Sequence, residues 1–222
     1  MLAAKRSIQF GGREIARTPL VVPSFSSKGF PQVDKIIQTL SEAITGCVLI
    51  SAYDIMYGFV PTPLTFPEFV FLDSGGYECT KDTELSDLGY IDHKPRDWSA
   101  EDHARVLNSW KSETPTIVVS YDHPGARCST LEQIENARQL FDGRDVVSEL
   151  LFKPETKDSL RVDIDKVVAM IHEIRHFDVI GFTEKELGYC LFKRMQNIAK
   201  VRRAMSAAGL HKPIHIFGSL VH

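Results

Sequence analysis

Short runs of apolar residues alternate with amphipathic segments along the chain. Runs rich in Val, Ile and Phe are typical of strands that are buried on both faces of a parallel sheet. Between these runs, apolar residues recur at helical spacing, as in 33–44 and 164–174, and a long helix is predicted at 183–208. Ser99 with Asp102 and Ser129 with Glu132 predict capping boxes at two helix starts, and 80–97 is predicted as a polar excursion. The seven predicted strands cover 20–25, 47–53, 69–72, 116–122, 146–152, 177–182 and 214–218.

Seven strands that alternate with helices predict a parallel α/β fold. The expected architecture is a TIM-type (β/α)8 barrel that lacks its last strand and helix, with residues 1–222 as a single domain. An open, doubly wound sheet is the alternative, although the sequence lacks the Gly-x-Gly-x-x-Gly turn with which such sheets bind dinucleotides. A short hairpin at 8–17 is expected before the main fold.

Composition and charge argue against several classes of protein. The 222 residues are 43% hydrophobic and 25% charged with a formal net charge of −3, which does not indicate nucleic-acid binding beyond a local patch. No apolar run approaches the about 20 residues of a membrane span, and no secretory signal opens the sequence. Four widely spaced cysteines and the absence of metal-ligand spacing predict a cytoplasmic protein with no disulfide framework and no metal site.

Two carboxylates stand at the ends of predicted strands. Asp73 follows the third strand directly, and Asp122 ends the fourth. Because an ionised carboxylate beside an apolar core is unfavourable, two in equivalent places indicate a shared site, with loop capping as the alternative. Gly75 and Gly76 let the backbone turn sharply after Asp73 and approach a ligand closely.

The stretch Phe71-Leu72-Asp73-Ser74-Gly75-Gly76-Tyr77-Glu78 resembles the aspartate-serine-glycine-glycine-aromatic motif of the tRNA-guanine transglycosylase superfamily. Segments at 18–23, 120–123, 180–181 and 217–220 resemble further parts of the family in matching order. This family folds as a β/α barrel and exchanges a guanine in a nucleic acid for a 7-deazaguanine. The resemblance therefore implies a base-exchange transglycosylase, which is a pentosyltransferase.

The resemblance also implies roles for individual residues. Asp73 and Asp122 would bind the Watson–Crick edge of the purine, because acceptor-only carboxylates suit the adjacent N1–H and N2–H2 donors of guanine. Two neighbouring carboxylates favour a shared proton, which makes Asp73 the expected catalytic acid and base. Other residues would complete the pocket. They are Ser74, Gly75, Gly76 and the amide of Gly181 for base binding, with Tyr77 or Tyr121 for stacking.

Several residues depart from the family pattern. His123 and Pro124 stand in place of a glutamate and a cysteine after the second aspartate. Phe182 follows Gly181 in place of a second glycine, and Lys153 stands near the position of an expected glutamine. These departures indicate a branch similar to the transglycosylases that insert a 7-deazaguanine such as preQ0 into DNA, with tRNA as the alternative substrate.

The nucleophile of the family lies on an eighth strand and is expected beyond His222, as is its structural zinc. The resemblance thus implies no cofactor within this chain. The expected partners are DNA or tRNA, the 7-deazaguanine base, and a second copy or a partner subunit that completes the barrel, but no membrane. Basic residues of a predicted helix are the candidates for nucleic-acid contacts, with a merely solvated surface as the alternative. They are Lys193, Arg194, Lys200, Arg202 and Arg203.

Two alternative functions stay open. A chain without the nucleophile is either a fragment of a longer enzyme or a non-catalytic binding subunit. An unrelated barrel enzyme, such as a lyase or a hydrolase, would use Asp73, Asp122 and His123 on a small substrate and would have no affinity for 7-deazaguanines.

Overall fold

A computed structural model describes residues 4–80, 93–111 and 113–218. The chain divides into two compact units, one of Val21–Pro124 and one of Met1–Leu20 with Gly125–His222. The strands are β1 (Ser7–Phe10), β2 (Arg13–Arg17), β3 (Cys47–Ser51), β4 (Phe69–Asp73), β5 (Thr116–Val119), β6 (Val147–Phe152), β7 (Val179–Thr183) and β8 (Ile214–Phe217). The helices are α1 (Val33–Leu40), α2 (Ala52–Met56), α3 (Ala100–Ser109), α4 (Thr130–Phe141), α5 (Ile164–Ala169), α6 (Glu184–Leu187) and α7 (Leu191–Ala207), with 3₁₀ turns at Pro124–Ala126 and Glu173–His176.

The Val21–Pro124 unit contains β3, β4 and β5, which are parallel and lie side by side in chain order. Every residue of these strands is buried, as expected for continuous apolar runs that are packed on both faces. The register pairs Ser51 with Asp73, so β3 and β4 end at the same level. The side chains that follow these ends therefore meet at one edge.

The predicted first strand at 20–25 is reduced to a single parallel bridge between Ser24 and Leu49. The Leu49 amide donates to the carbonyl of Pro23 at 2.7 Å, and the Phe25 amide donates to the Leu49 carbonyl at 2.9 Å. The Val21 side chain is 89% exposed, and the thiol of Cys47 on β3 lies 3.6 Å from the Val21 carbonyl oxygen. The predicted strand is therefore wrong in its length, and it pairs with β3 only through this bridge.

The Met1–Leu20 and Gly125–His222 unit contains the antiparallel hairpin β1–β2, as predicted, and the parallel strands β6, β7 and β8 in chain order. One face of β6 and β7 belongs to an apolar core that also includes residues of α4, α5 and α7. Buried members of this core include Ile134, Leu150, Phe152, Val167, Ile180, Phe182, Val201 and Met205.

Two helices begin with the capping boxes that the sequence predicts. Ser99 accepts from the amide of Asp102 at the start of α3, and the Asp102 carboxylate accepts from the Ser99 amide. Ser129 and Glu132 make the same reciprocal pair at the start of α4. Each pair satisfies two amides that have no partner within the helix, which fixes where the helix begins.

The long helix predicted from 183 to 208 is interrupted between α6 and α7. Gly188 at the break has an extended backbone, and a Cβ there would lie 3.0 Å from Cγ of Lys193. Because the break depends on packing between the two helices, helical spacing in the sequence does not reveal it. Two further predicted helices are shorter than expected. The first ends at Leu40, and α5 ends at Ala169 before a 3₁₀ turn.

In each unit the parallel strands follow chain order and helices connect them, which is the arrangement of a TIM-type β/α fold. A doubly wound sheet would need a reversal of strand order at its switch point, and neither unit shows one among its described strands. The predicted α/β, TIM-type fold is confirmed, whereas the single domain at 1–222 stays a prediction. Within the described ranges, no helix is both long and apolar enough to cross a bilayer. Most of the polar excursion predicted at 80–97 lies outside the described residues.

Candidate functional site

Carboxyl groups gather where the strands of the Val21–Pro124 unit end. Asp54 lies on α2, which begins directly after β3 with Ser51 as its cap. Asp73 is the last residue of β4, and Asp122 follows the end of β5. The carboxyl ends of parallel strands are where β/α folds place their reactive groups, so this edge is the candidate site.

Asp122 is held by the glycine-containing turn that follows β4. The Ser74 hydroxyl donates to Oδ1 of Asp122 in a short hydrogen bond. A Cβ on Gly76 would lie 2.6 Å from Oδ2 of Asp122, so only glycine fits at that position. Asp73, which is 9% exposed, accepts from the amide of Gly75 at 3.3 Å. The predicted residues Asp73, Ser74, Gly75, Gly76 and Asp122 thus lie together.

Gly75 lies close to Tyr53 of α2. It has φ +87°, and a Cβ there would lie 2.5 Å from Cβ of Tyr53. The indole N–H of Trp98 donates to the carbonyl of Ser74 at 2.8 Å, and the amide of Arg96 donates to the Tyr53 hydroxyl at 2.8 Å. These two hydrogen bonds tie Trp98 to the turn and Arg96 to α2.

Asp54 is a site residue that the sequence did not single out. It is fully buried and accepts from the amide of Ser27 at 2.8 Å and from the Ser27 hydroxyl at 2.5 Å. Burial raises the pKa of Asp54, and the hydrogen bonds from Ser27 offset part of that effect. The signal that could have identified it is its distance from the end of β3, three residues beyond Ser51.

Glu78 is the second residue without a predicted role, although it ends the motif read from the sequence. It is 3% exposed, and its Oε1 accepts from the Ser26 hydroxyl at 2.5 Å. Its Oε2 is buried and has no hydrogen-bond partner within the described residues. Burial, followed by the charges of Asp54 and Asp73, raises the pKa of Glu78 to about 8. Glu78 therefore holds a proton at neutral pH and can release it within the physiological range.

Two side chains beside this cluster are poorly suited to act as nucleophiles. Lys28 is engaged in hydrogen bonds, and Cys79 is protonated. Lys28, which is 5% exposed, donates to the carbonyl of Tyr77 and to Oγ1 of Thr80, both at 3.0 Å. Burial, together with the charges of Asp122 and Glu78, raises the pKa of the Cys79 thiol to about 12. Cys79 stays a thiol at neutral pH, so acid–base chemistry fits this edge better than thiolate chemistry.

The two predicted stacking residues have protein partners. The ring of Tyr77 lies 4.2 Å from Nζ of Lys28. The ring of Tyr121 lies 5.8 Å from that of His103 and is parallel to that of His123 at 6.5 Å. Burial raises the pKa of the Tyr121 phenol, which keeps it neutral. Stacking on a base by either residue stays a prediction.

Gly181 differs from its expected place at a strand end. It lies inside β7, paired with Leu151 of β6 and with His215 of β8, so its backbone belongs to the ladder. A Cβ there would lie 2.7 Å from Oε1 of Glu149. Glu149 is fully buried and contacts Nδ1 of His215 at 2.9 Å. Gly181 thus makes room for a buried polar pair, which the sequence did not predict.

Basic residues of the second unit contact protein groups. Nζ of Lys153 lies 3.0 Å from Oγ1 of Thr183 and 2.9 Å from Oε2 of Glu186. On α7, Arg194 forms an ion pair with Glu184, and Lys200 forms one with Asp165. Arg202 donates a hydrogen bond to the carbonyl of Lys212. Nucleic-acid binding through this helix stays a prediction. No group of three or more His, Cys, Asp or Glu suited to a metal ion occurs in the described part of the chain.

Comparison with known proteins leaves the family open. No family model matches the chain. No curated protein matches it either. A solved structure, QR15, an aldolase, is similar with a TM-score of 0.44 and 10% identity, over 88% of this chain and 89% of that chain. A similarity this weak carries no conclusion about activity.

These comparisons correct the interpretation of the glycine-rich motif. The assignment to the tRNA-guanine transglycosylase superfamily is wrong, because neither the family models nor the curated proteins contain a match to the chain. An eight-residue motif with weakly matching segments elsewhere did not suffice to identify a family. The predictions that depend on it, a base exchange and a nucleophile beyond His222, have no independent support.

Proposed function

We propose that the carboxyl-end edge of the Val21–Pro124 unit is the active site of an enzyme that binds a small ligand through adjacent N–H donors and moves a proton through Glu78. The observation that carries the proposal is the burial of the Glu78 carboxyl group beside Asp54 and Asp73, with one oxygen left without a hydrogen-bond partner among the described residues. Such an arrangement reduces stability and is typical of functional sites.

The geometry supports ligand binding through acceptors. Ionised carboxylates accept only, and two on neighbouring strands suit a planar ligand edge with adjacent N–H groups. Asp122 is the more accessible of the two, and Asp73 lies deeper. Guanine has such an edge, so it is a suitable first probe. Exchange of a base in a nucleic acid is not required by this proposal.

The electrostatics support proton transfer. A general acid and base is most effective when its pKa lies near the working pH, and the pKa of Glu78 is raised to about 8. Carbon NMR of isotope-labelled glutamate side chains should show one carboxyl group that titrates near this pH, and Glu78→Gln should remove it. A Glu78 signal that titrates like an exposed glutamate would contradict the role.

Trp98 provides the binding assay because its indole donates to Ser74 within the site. In the Trp110→Phe background Trp98 is the only tryptophan, since the chain has two. Guanine should change its emission, and Asp73→Asn or Asp122→Asn should weaken binding by about tenfold or more, because a charge-assisted hydrogen bond contributes about 1.5–3 kcal/mol. Asp34→Asn, an exposed change on α1, is the matched control. Unchanged emission with guanine, amidines and amides alike would refute the proposal.

A further inference from the structure

We propose that the ligand of this edge is an organic cation, an amidinium or guanidinium group that donates a hydrogen bond to Oε2 of Glu78. The inference rests on the proposed function and narrows its ligand from any N–H donor edge to a positively charged one. Three observations support it: the balance of charges, the unpartnered acceptor, and the absence of a metal-like arrangement among the described residues.

Acidic groups outnumber basic groups at the edge. Asp54, Asp73 and Asp122 surround the turn that carries Glu78, and Lys28 is the lysine packed beside them. Among the described residues here, four carboxyl groups against one ammonium and the imidazole of His93 leave an excess of negative charge even when Glu78 holds its proton. A ligand cation would reduce this excess, whereas an anionic ligand would increase it.

The groups that face Glu78 come from several elements. Asp54 on α2 and Asp73 on β4 raise its pKa, and the Ser26 hydroxyl donates to its other oxygen. His93 contacts the Glu78 carbonyl at 2.6 Å, and Cys79 is the next residue in the chain. Among the described residues, none of these groups provides a donor to Oε2, which is buried. A buried oxygen without a hydrogen-bond partner is unfavourable, so this oxygen is the position where a ligand N–H gains most once Glu78 is ionised.

The chemistry of the edge favours a planar organic cation over a metal ion. The described carboxyl groups do not form a set of three that could hold a metal. An amidinium or guanidinium group carries its charge on several coplanar N–H donors and pairs with carboxylates through two parallel hydrogen bonds. It can therefore reach acceptors that are spread along an edge.

Binding of a cation has a distinctive consequence for protons. A positive charge beside Glu78 favours its ionised form, so a group that is protonated at pH 7 would lose its proton when the ligand binds. A neutral ligand with the same shape would leave the proton in place. Proton release thus distinguishes a cation from a neutral N–H donor.

Benzamidine and benzamide form the matched pair of probes, because they share one shape and differ in charge. Titration calorimetry of the whole chain at pH 7, in two buffers of different ionisation enthalpy, gives affinity and proton release together. We expect benzamidine to bind at least about tenfold more tightly than benzamide and to release a proton. Glu78→Gln should remove the release and weaken benzamidine by about tenfold, whereas Glu42→Gln, an exposed change in the same unit, should alter neither.

Equal affinity for the two probes, or benzamidine binding without proton release, would overturn the inference. Binding of guanine or benzamide at the Trp98 site with no preference for benzamidine would leave the proposed function intact. Failure of all three compounds to bind would refute both. Because Glu78→Gln preserves the size of the side chain, its circular dichroism and unfolding curve will show whether a lost signal reflects lost structure.

Discussion

At the scale of single residues, Glu78 gives the molecule a pH dependence of known sign. Its pKa is about 8 in the folded chain and near 4.5 when exposed, so between these values the folded state binds more protons than the unfolded state. Stability should therefore fall as the pH rises from about 5 to 8, by up to about 1.4 kcal/mol per pH unit. Urea unfolding at a series of pH values measures this slope.

The matched variant for this prediction is Glu78→Gln, which cannot ionise but keeps an oxygen for the Ser26 hydroxyl. It should flatten the slope and should be more stable than the wild type at pH 8. An unchanged slope in the variant would assign the pH dependence to other groups, such as the buried Asp54.

The turn after β4 can lie against Asp122 because Gly76 has no side chain. Gly76→Ala would place a Cβ 2.6 Å from Oδ2 and 2.7 Å from the backbone oxygen of Asp122, so that residue has to move. We expect a loss of about 1–3 kcal/mol in unfolding free energy and loss of the ligand response at Trp98. Gly46→Ala, where a Cβ meets open space, is the control and should change the ligand response very little. Retained binding in Gly76→Ala would separate Asp122 from the site.

At the scale of elements, the two capping boxes allow a paired comparison. Removing the side-chain oxygen of a cap lowers stability by about 1 kcal/mol, so Ser99→Ala and Ser129→Ala should each have this effect in thermal or urea unfolding. Ser99 follows Trp98, whose indole contacts the site, whereas Ser129 belongs to the other unit. Only Ser99→Ala should therefore also weaken ligand binding, and equal effects of the two variants on binding would contradict this view.

Strands and helix starts were predictable from the sequence where burial alone or a local hydrogen-bond pattern determines them. The strands β3, β4 and β5 are mostly apolar runs because every residue in them is buried, and the starts of α3 and α4 are local hydrogen-bond patterns within four residues. The first strand and the long helix at 183–208 were not predictable to the same degree. Apolar spacing reports neither the exposure of Val21 nor the close contact of Gly188 with Lys193 and Arg194 at the start of the next helix.

At the scale of the whole molecule, the site residues that were predicted are those that a local sequence pattern indicates. The other site residues depend on packing. Asp73 and Asp122 could be located because the apolar runs of two neighbouring strands lead into them: Asp73 ends β4, and Asp122 lies three residues beyond β5. Asp54 lies in the first turn of α2, and Glu78 lies five residues beyond β4, so no apolar run leads directly into either of them. The family assignment failed for a related reason, since a short motif reports local backbone geometry and leaves the surrounding chemistry open.

The pair of Glu149 and His215 beneath Gly181 has a consequence for how the strands align. Side chains alternate between the two faces of a strand, so a slip of β6 by one residue would turn Glu149 toward the apolar core that contains Leu150 and Ile180. Such a misaligned sheet would bury a carboxylate among hydrocarbon side chains and separate it from its imidazole. The contact between Glu149 and His215 thus favours the observed register of β6 over a register that is shifted by one residue.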